Sequence, residues 1–270
     1  MISLFRKIRQ TLLGQNKITR YLAYSFGEIF LVVVGILLAL AINNWNTGRT
    51  ELNLERIYLE GLVRDLKTQL QEVDTHEKRE LTYVVSSKNL IENFNASGKF
   101  SVDFEFTKEI GNLVNRRTFV KSDPTFEELI TTGNLDIIQD NVLKDEIIQY
   151  YQFLSRVEAI LQSNNSNFVD DKFRNGVYAL SKFSMIETIR AALSPDNLND
   201  DNTLIAGLVE TNSPALLKIT EENINDPKNV LWFSNLLQFR NTQATIHAFY
   251  MRQVRQRTQS LLEKIEVKNV

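Results

Sequence analysis

The chain has 270 residues, a formal net charge of -2 and no cysteine. The missing cysteine excludes disulfides, thiolate nucleophiles and cysteine-ligated metals, and the length suits one sizeable domain plus an anchor. Only Pro124, Pro195, Pro214 and Pro227 interrupt it, so the first 123 residues are free to form long helices.

The charge is unevenly spread. Residues 1–25 hold Arg6, Lys7, Arg9, Lys17 and Arg20 and no acid. Within "LFRKIRQTLL", Phe5, Ile8 and Leu12 recur at helical spacing. Two readings fit: an amphipathic helix on an anionic leaflet, or a solvated basic tail that only sets topology. Gly14-Gln15-Asn16 separates the amphipathic part of this tail, 1–20, from the long apolar run.

From Tyr21 to Ile42 the only charge is Glu28. As a helix that run is about 33 Å long, enough to cross a hydrocarbon core of about 30 Å. The stretch after Glu28 would reach only about 21 Å, so the buried part must extend back past it. Glu28 is thereby placed near the membrane edge. Tyr21, Tyr24 and Trp45 flank the span, 21–45, as interfacial aromatics. The excess of Lys and Arg before it predicts a cytoplasmic N-terminus and a domain, 46–270, outside the membrane. A cleaved signal peptide is the rival, with Ala39-Leu40-Ala41 as the cleavage-like site, but the run has full spanning length.

Glu28, Val32, Gly35, Ala39 and Ile42 share one helical face, and Gly35 with Ala39 forms a small-xxx-small pair. This face has three readings: packing against a partner or a copy, snorkelling of Glu28 to headgroups, and intramembrane proton or ion coupling. Membrane lipid, and a second copy or another membrane protein meeting the span, are the expected partners.

Residues 49–96 read as one long helix with Leu59, Leu62, Leu66, Leu70, Val73, Leu81, Val84, Ile91 and Phe94 as its stripe. It would form a stalk beyond the span, with Gly48 as a hinge and Asn95-Ala96-Ser97-Gly98 as its stop. "KFSVDFEF" alternates like a strand but has no partner strand, so an extended connector into a helix over 106–114 is expected. "SDPTFEELITTGNL" has Asp123 as N-cap, Pro124 at the first helical position and Gly133 as the stop. Over 141–162, Leu143, Ile147, Tyr150, Leu154, Val157 and Leu161 alternate steps of four and three, a coiled-coil-grade seam.

Helices are also predicted over 168–193, 203–210, 214–222 and 228–266. The last carries the stripe Phe233, Leu237, Arg240, Ala244, His247, Met251, Val254, Leu261 and Ile265. The expected fold class is all-α: one N-terminal transmembrane helix, then an extracytoplasmic bundle whose long, coiled-coil-like first and last helices pair antiparallel.

"FRKIRQ", "NKITRYLAYSFGEIFLVVVGILLALAINNWN" and "TFEELITTGNLDIIQDNVLKDEIIQYY" resemble a family of uncharacterised bacterial single-span membrane proteins. The resemblance implies a Gram-negative envelope protein anchored in the inner membrane, with its helical domain in the periplasm. It supplies no catalytic residue.

Motifs for chemistry are sparse. His76 in "HEKRE" lacks the second histidine of a zinc-protease helix, because position 80 is Glu80; it reads as a solvated helix residue. The loop 196–202 is rich in Asn and Asp but lacks the glycine and glutamate of a calcium loop. Arg252, Arg255 and Arg257 read as a solvated face balanced by Glu263 and Glu266, so no nucleic-acid partner is expected. Arg240 and His247 lie on the core stripe and form a candidate polar core site. No cofactor or metal is expected. The expected role is a membrane-anchored, non-enzymatic interaction or scaffold protein; the alternative is an extracytoplasmic ligand-binding or stress-sensing module that signals through a partner.

Overall fold

A computed structural model describes residues 18–186, 189, 207–211 and 213–268. The amphipathic tail, the loop 196–202, and parts of the helices expected over 168–193 and 203–210 lie outside the described residues. All the described secondary structure is helical.

The first helix, α1 (Ile18–Ser97), is continuous for 80 residues. It passes through Gly48, where a hinge was expected. A lone glycine weakens a helix by about 1 kcal/mol without ending it, and no proline precedes residue 124. The helix does stop at the expected place. Gly98 has φ +69, and its N–H donates to the Phe94 carbonyl at 2.8 Å. Only glycine enters that left-handed region freely.

The chain divides into two units, Met1–Tyr58 and Leu59–Val270. In the first, the described residues belong to α1, and it holds the long apolar run. A window of 18 residues there has mean hydropathy 2.5, and none of it is buried by the chain.

The second unit is a helical assembly. After α1 comes α2 (Phe104–Val114), which starts two residues before the expected 106. Asp103 accepts from the Phe106 N–H at 2.8 Å, so this N-cap turns the alternating phenylalanines into a first helical turn. Then follow α3 (Pro124–Thr131), a 3₁₀ turn (Asn134–Ile137) and α4 (Asn141–Asn164). Asp123 occupies the N-cap position of α3, but its carboxylate pairs with Lys121 instead. Asp65 of α1 accepts from the Thr125 N–H at 2.8 Å, so the cap comes from a distant helix.

All six residues of the expected α4 seam are buried. Its helical path does not break where a new helix was expected. A π-helical stretch (Asn165–Phe173) carries it into α5 (Arg174–Leu180). The chain then turns extended. The Ser184 N–H donates to the Thr107 carbonyl at 2.8 Å, and the Lys182 N–H donates to the Thr220 hydroxyl at 2.9 Å. This docking requires Gly111, because a Cβ there would lie 1.6 Å from the Ser184 carbonyl oxygen. Residues 207–210 are a turn and irregular chain rather than helix. Finally come α6 (Pro214–Asn225) and α7 (Val230–Lys268).

α7 lies antiparallel to the outer part of α1. Ion pairs join Lys67 to Glu266, Asp74 to Arg255 and Glu77 to Arg252, and Asn241 bonds to Ser87. It is antiparallel to α4 as well, through Lys268–Asp140, Lys264–Glu146 and Tyr150–Thr258. The basic run is therefore not balanced within its own helix: Arg252 and Arg255 are neutralised by acids of α1, and Arg257 stacks over Phe153. An aromatic group of Phe94, Phe100, Phe106 and Phe233 closes the core at the far end of α1.

Candidate functional site

The buried face of α1 differs from the expected stripe. Leu62, Leu66, Gln69, Val73, His76, Glu80, Tyr83, Ser87 and Leu90 are buried, at alternating steps of four and three. Leu81 is instead exposed, and Leu70, Val84 and Ile91 are only partly buried. The true seam thus keeps strict coiled-coil spacing but carries four polar side chains. His76, expected in solvent, is a core residue.

Opposite this seam, α7 presents Arg240 and His247. All four central groups are sealed: Arg240 and His247 are 0% exposed, His76 and Glu80 1%. Glu80 Oε1 lies 3.4 Å from His76 Nε2 and 3.5 Å from His247 Nδ1, both long for hydrogen bonds. His247 Nε2 meets the side-chain amide of Asn164, from α4, at 3.2 Å. With that amide donating, Nε2 accepts, so the neutral ring carries its proton on Nδ1, facing Glu80. The His76 ring stands edge-on to Phe119, with centroids 5.7 Å apart.

Arg240 is held on three sides. Its Nε donates to the Leu113 carbonyl at 3.1 Å and its Nη2 to the Asn115 carbonyl at 3.0 Å. These lie at the C-terminal end of α2, where carbonyls lack intrahelical partners and the helix dipole is negative. Arg174 adds a bond to the Val114 carbonyl at 2.9 Å. The third side is a cation–π contact, the Arg240 guanidinium carbon sitting 4.3 Å from the Tyr83 ring centroid.

Electrostatics favour a charged centre. Burial pushes the Glu80 carboxyl up, but the imidazoles of His247 and His76 and the charge of Arg240 outweigh it and hold Glu80 down at about 2. Burial lowers Arg240, and the charges of Glu80 and Tyr83 oppose that. Burial pushes the Tyr83 hydroxyl up to about 12. Glu80 Oε2, Arg240 Nη1 and both ring nitrogens of His76 complete no hydrogen bond within the chain. Such a cluster stores polar capacity in a low-dielectric core and is sensitive to any change in its protonation. Its sealed packing gives a solute no route to Glu80. Among the described residues no three His, Asp or Glu side chains are grouped to hold a metal.

Of the residues singled out in sequence, Arg240 and His247 come together with two groups from α1 that the hydropathy pattern had passed over. Continuing the register of Leu62, Leu66 and Val73 would have found both. The other set, Glu28, Val32, Gly35, Ala39 and Ile42, lies in the first unit and is exposed. A Cβ placed on Gly35 meets nothing within 4 Å.

Neither a curated protein nor a solved structure matches the chain. The family of unknown function DUF6090 matches residues 28–204, which include His76, Glu80 and Asn164 and stop short of α7. The chain belongs to that family of unknown function.

Proposed function

We propose that this chain is a membrane-anchored, non-enzymatic interaction protein of the Gram-negative envelope. Residues 21–45 span the inner membrane, the N-terminus is cytoplasmic, and the helical domain is periplasmic. The observation that carries this reading is the apolar run of α1, of which the chain itself buries nothing. In water that surface would be heavily penalised; lipid or another helix removes the penalty. The Gly35–Ala39 face lets a second helix approach closely.

The test uses the absence of cysteine. Gly35→Cys and Ala39→Cys variants, cross-linked in native membranes, should each capture one specific polypeptide, a copy or a partner. Monomer and lipid adducts alone would contradict the reading. Alkaline extraction should leave the chain with the membrane, and external protease should reach the C-terminal domain only in spheroplasts.

The alternative, a ligand-binding or stress-sensing module signalling through a partner, is favoured by the polar cluster at Glu80. A charged group is costly in a core that serves packing alone. If sensing is the role, Glu80→Gln should change which proteins co-purify while the helical content is kept. An unchanged set of partners would remove this alternative.

A further inference from the structure

The outward face of α7 is unlike the rest of the surface. From 229 to 251 no charged side chain is exposed: Arg240 and His247 are the only candidates, and both are fully buried. That neutral stretch is about 34 Å long, and exposed charge resumes at Arg252. Within it Trp232, Asn235, Phe239, Thr242, Ile246 and Phe249 succeed one another at alternating steps of three and four, and all six are exposed. Phe239, Ile246 and Phe249 are 54%, 43% and 57% exposed. This is a second coiled-coil seam, on the side of α7 opposite the core. Phe168, from the π-helical stretch, widens the patch with its ring 4.4 Å from that of Phe239.

We infer that this face binds a second copy of the chain, α7 pairing with α7 in parallel and in register about a two-fold axis. Pairing of that kind sets each seam residue beside its own copy. Any charge on the seam would meet its like, so a self-paired face must be neutral, and this one is. A different protein partner would be selected by complementary charge, of which the face offers none. Lipid does not suit it, because Asn235 and Thr242 sit mid-seam among further Gln and Thr side chains. The aromatic content and absence of charge match the centre of a protein interface. A seam asparagine also disfavours out-of-register pairings.

The inference rests on the interaction reading above and names the partner. It is tested in the full chain, in native membranes, with single cysteines at Asn235→Cys, Thr242→Cys and, as a control on the charged part of α7, Gln259→Cys. Oxidation should give a disulfide-linked homodimer at 235 and 242, at least tenfold above the yield at 259. Adding Phe239→Asp and Ile246→Asp should cut the yield at 242 at least tenfold with circular dichroism unchanged. Thr242→Lys, a milder change, should do the same to the yield at 235. No dimer at either seam position, or an adduct with a different polypeptide, would overturn the inference. Gly35→Cys in the same preparation separates the two proposals. Cross-linking there but not on α7 removes only this inference, and no cross-linking at either place removes both.

Discussion

The two faces of α7 share one helix and one spacing, yet differ in what they carry. The inner seam, Phe233, Leu237, Arg240, Ala244, His247, Met251 and Val254, is buried and includes a guanidinium and an imidazole. The outer seam, from Trp232 to Phe249, faces outward and carries no charge. The difference arises from what each faces. The inner seam meets α1, a different sequence, which supplies Glu80 as a counter-charge to Arg240. On the outer side a matching copy could supply only the same charge. Charge in a seam is tolerated where a different helix supplies its opposite, and the proposed self-pairing of α7 excludes it.

Unbalancing the inner seam should have the largest effect. Arg240→Met removes a charge that helps to keep the buried Glu80 ionised and leaves the carbonyls of Leu113 and Asn115 without their donor. It should cost about 3–5 kcal/mol in unfolding free energy, measured by denaturant titration of the full chain in detergent. Pairing it with Glu80→Gln should recover a large part of that loss. A single variant costing under about 1 kcal/mol would mean that the two charges do not depend on each other.

Acid should erode the same seam. The folded Glu80 value, about 2, lies below the ordinary 4.5. Its ionisation therefore stabilises the fold fully above about pH 4.5, and that contribution is lost as pH falls towards 2. The difference is on the order of 3 kcal/mol. Glu80→Gln should flatten this part of the pH–stability curve relative to the parent chain. Curves that stay parallel would show that the loss arises at other carboxylates held low by cations, such as Glu77 beside Arg252 and Arg255, or Asp170 beside Arg116.

A smaller effect is expected at Asn164→Ala, which leaves His247 Nε2 buried without its partner and should cost about 1–2 kcal/mol. The smallest belongs to the outer seam. Phe239→Asp should change the stability of the dissociated chain by no more than about 0.5 kcal/mol, the usual range for exposed positions. A larger loss would make Phe239 a core residue, and the contrast between the two faces would fall.

These contrasts also show how much could be read in advance. On α4 and α7 hydropathy and register coincide, and the predicted stripes are the buried ones. On α1 they part company. Leu81, Val84 and Ile91 drew the apolar stripe one position aside, while Glu80, Tyr83 and Leu90 fill the seam. Charged and aromatic positions become legible only once their partners on another helix are known, because burial of Glu80 depends on Arg240 and His247, more than 150 residues away. Local punctuation fared better. Asp103 and Gly98 act at the boundaries themselves, although the cap at α3 comes from Asp65 rather than the adjacent Asp123. The π-helical stretch left no such mark, since Ser163-Asn164-Asn165 reads as a loop while the helix continues through it.

As proposed, this chain is an anchored module whose uncovered helix faces serve association. Cross-linking from Gly35→Cys in native membranes tests it most directly. One discrete protein adduct is expected at Gly35 and none from Ile36→Cys, on a neighbouring face of the same helix. Monomer and lipid adducts alone, or equal capture from both positions, would contradict it.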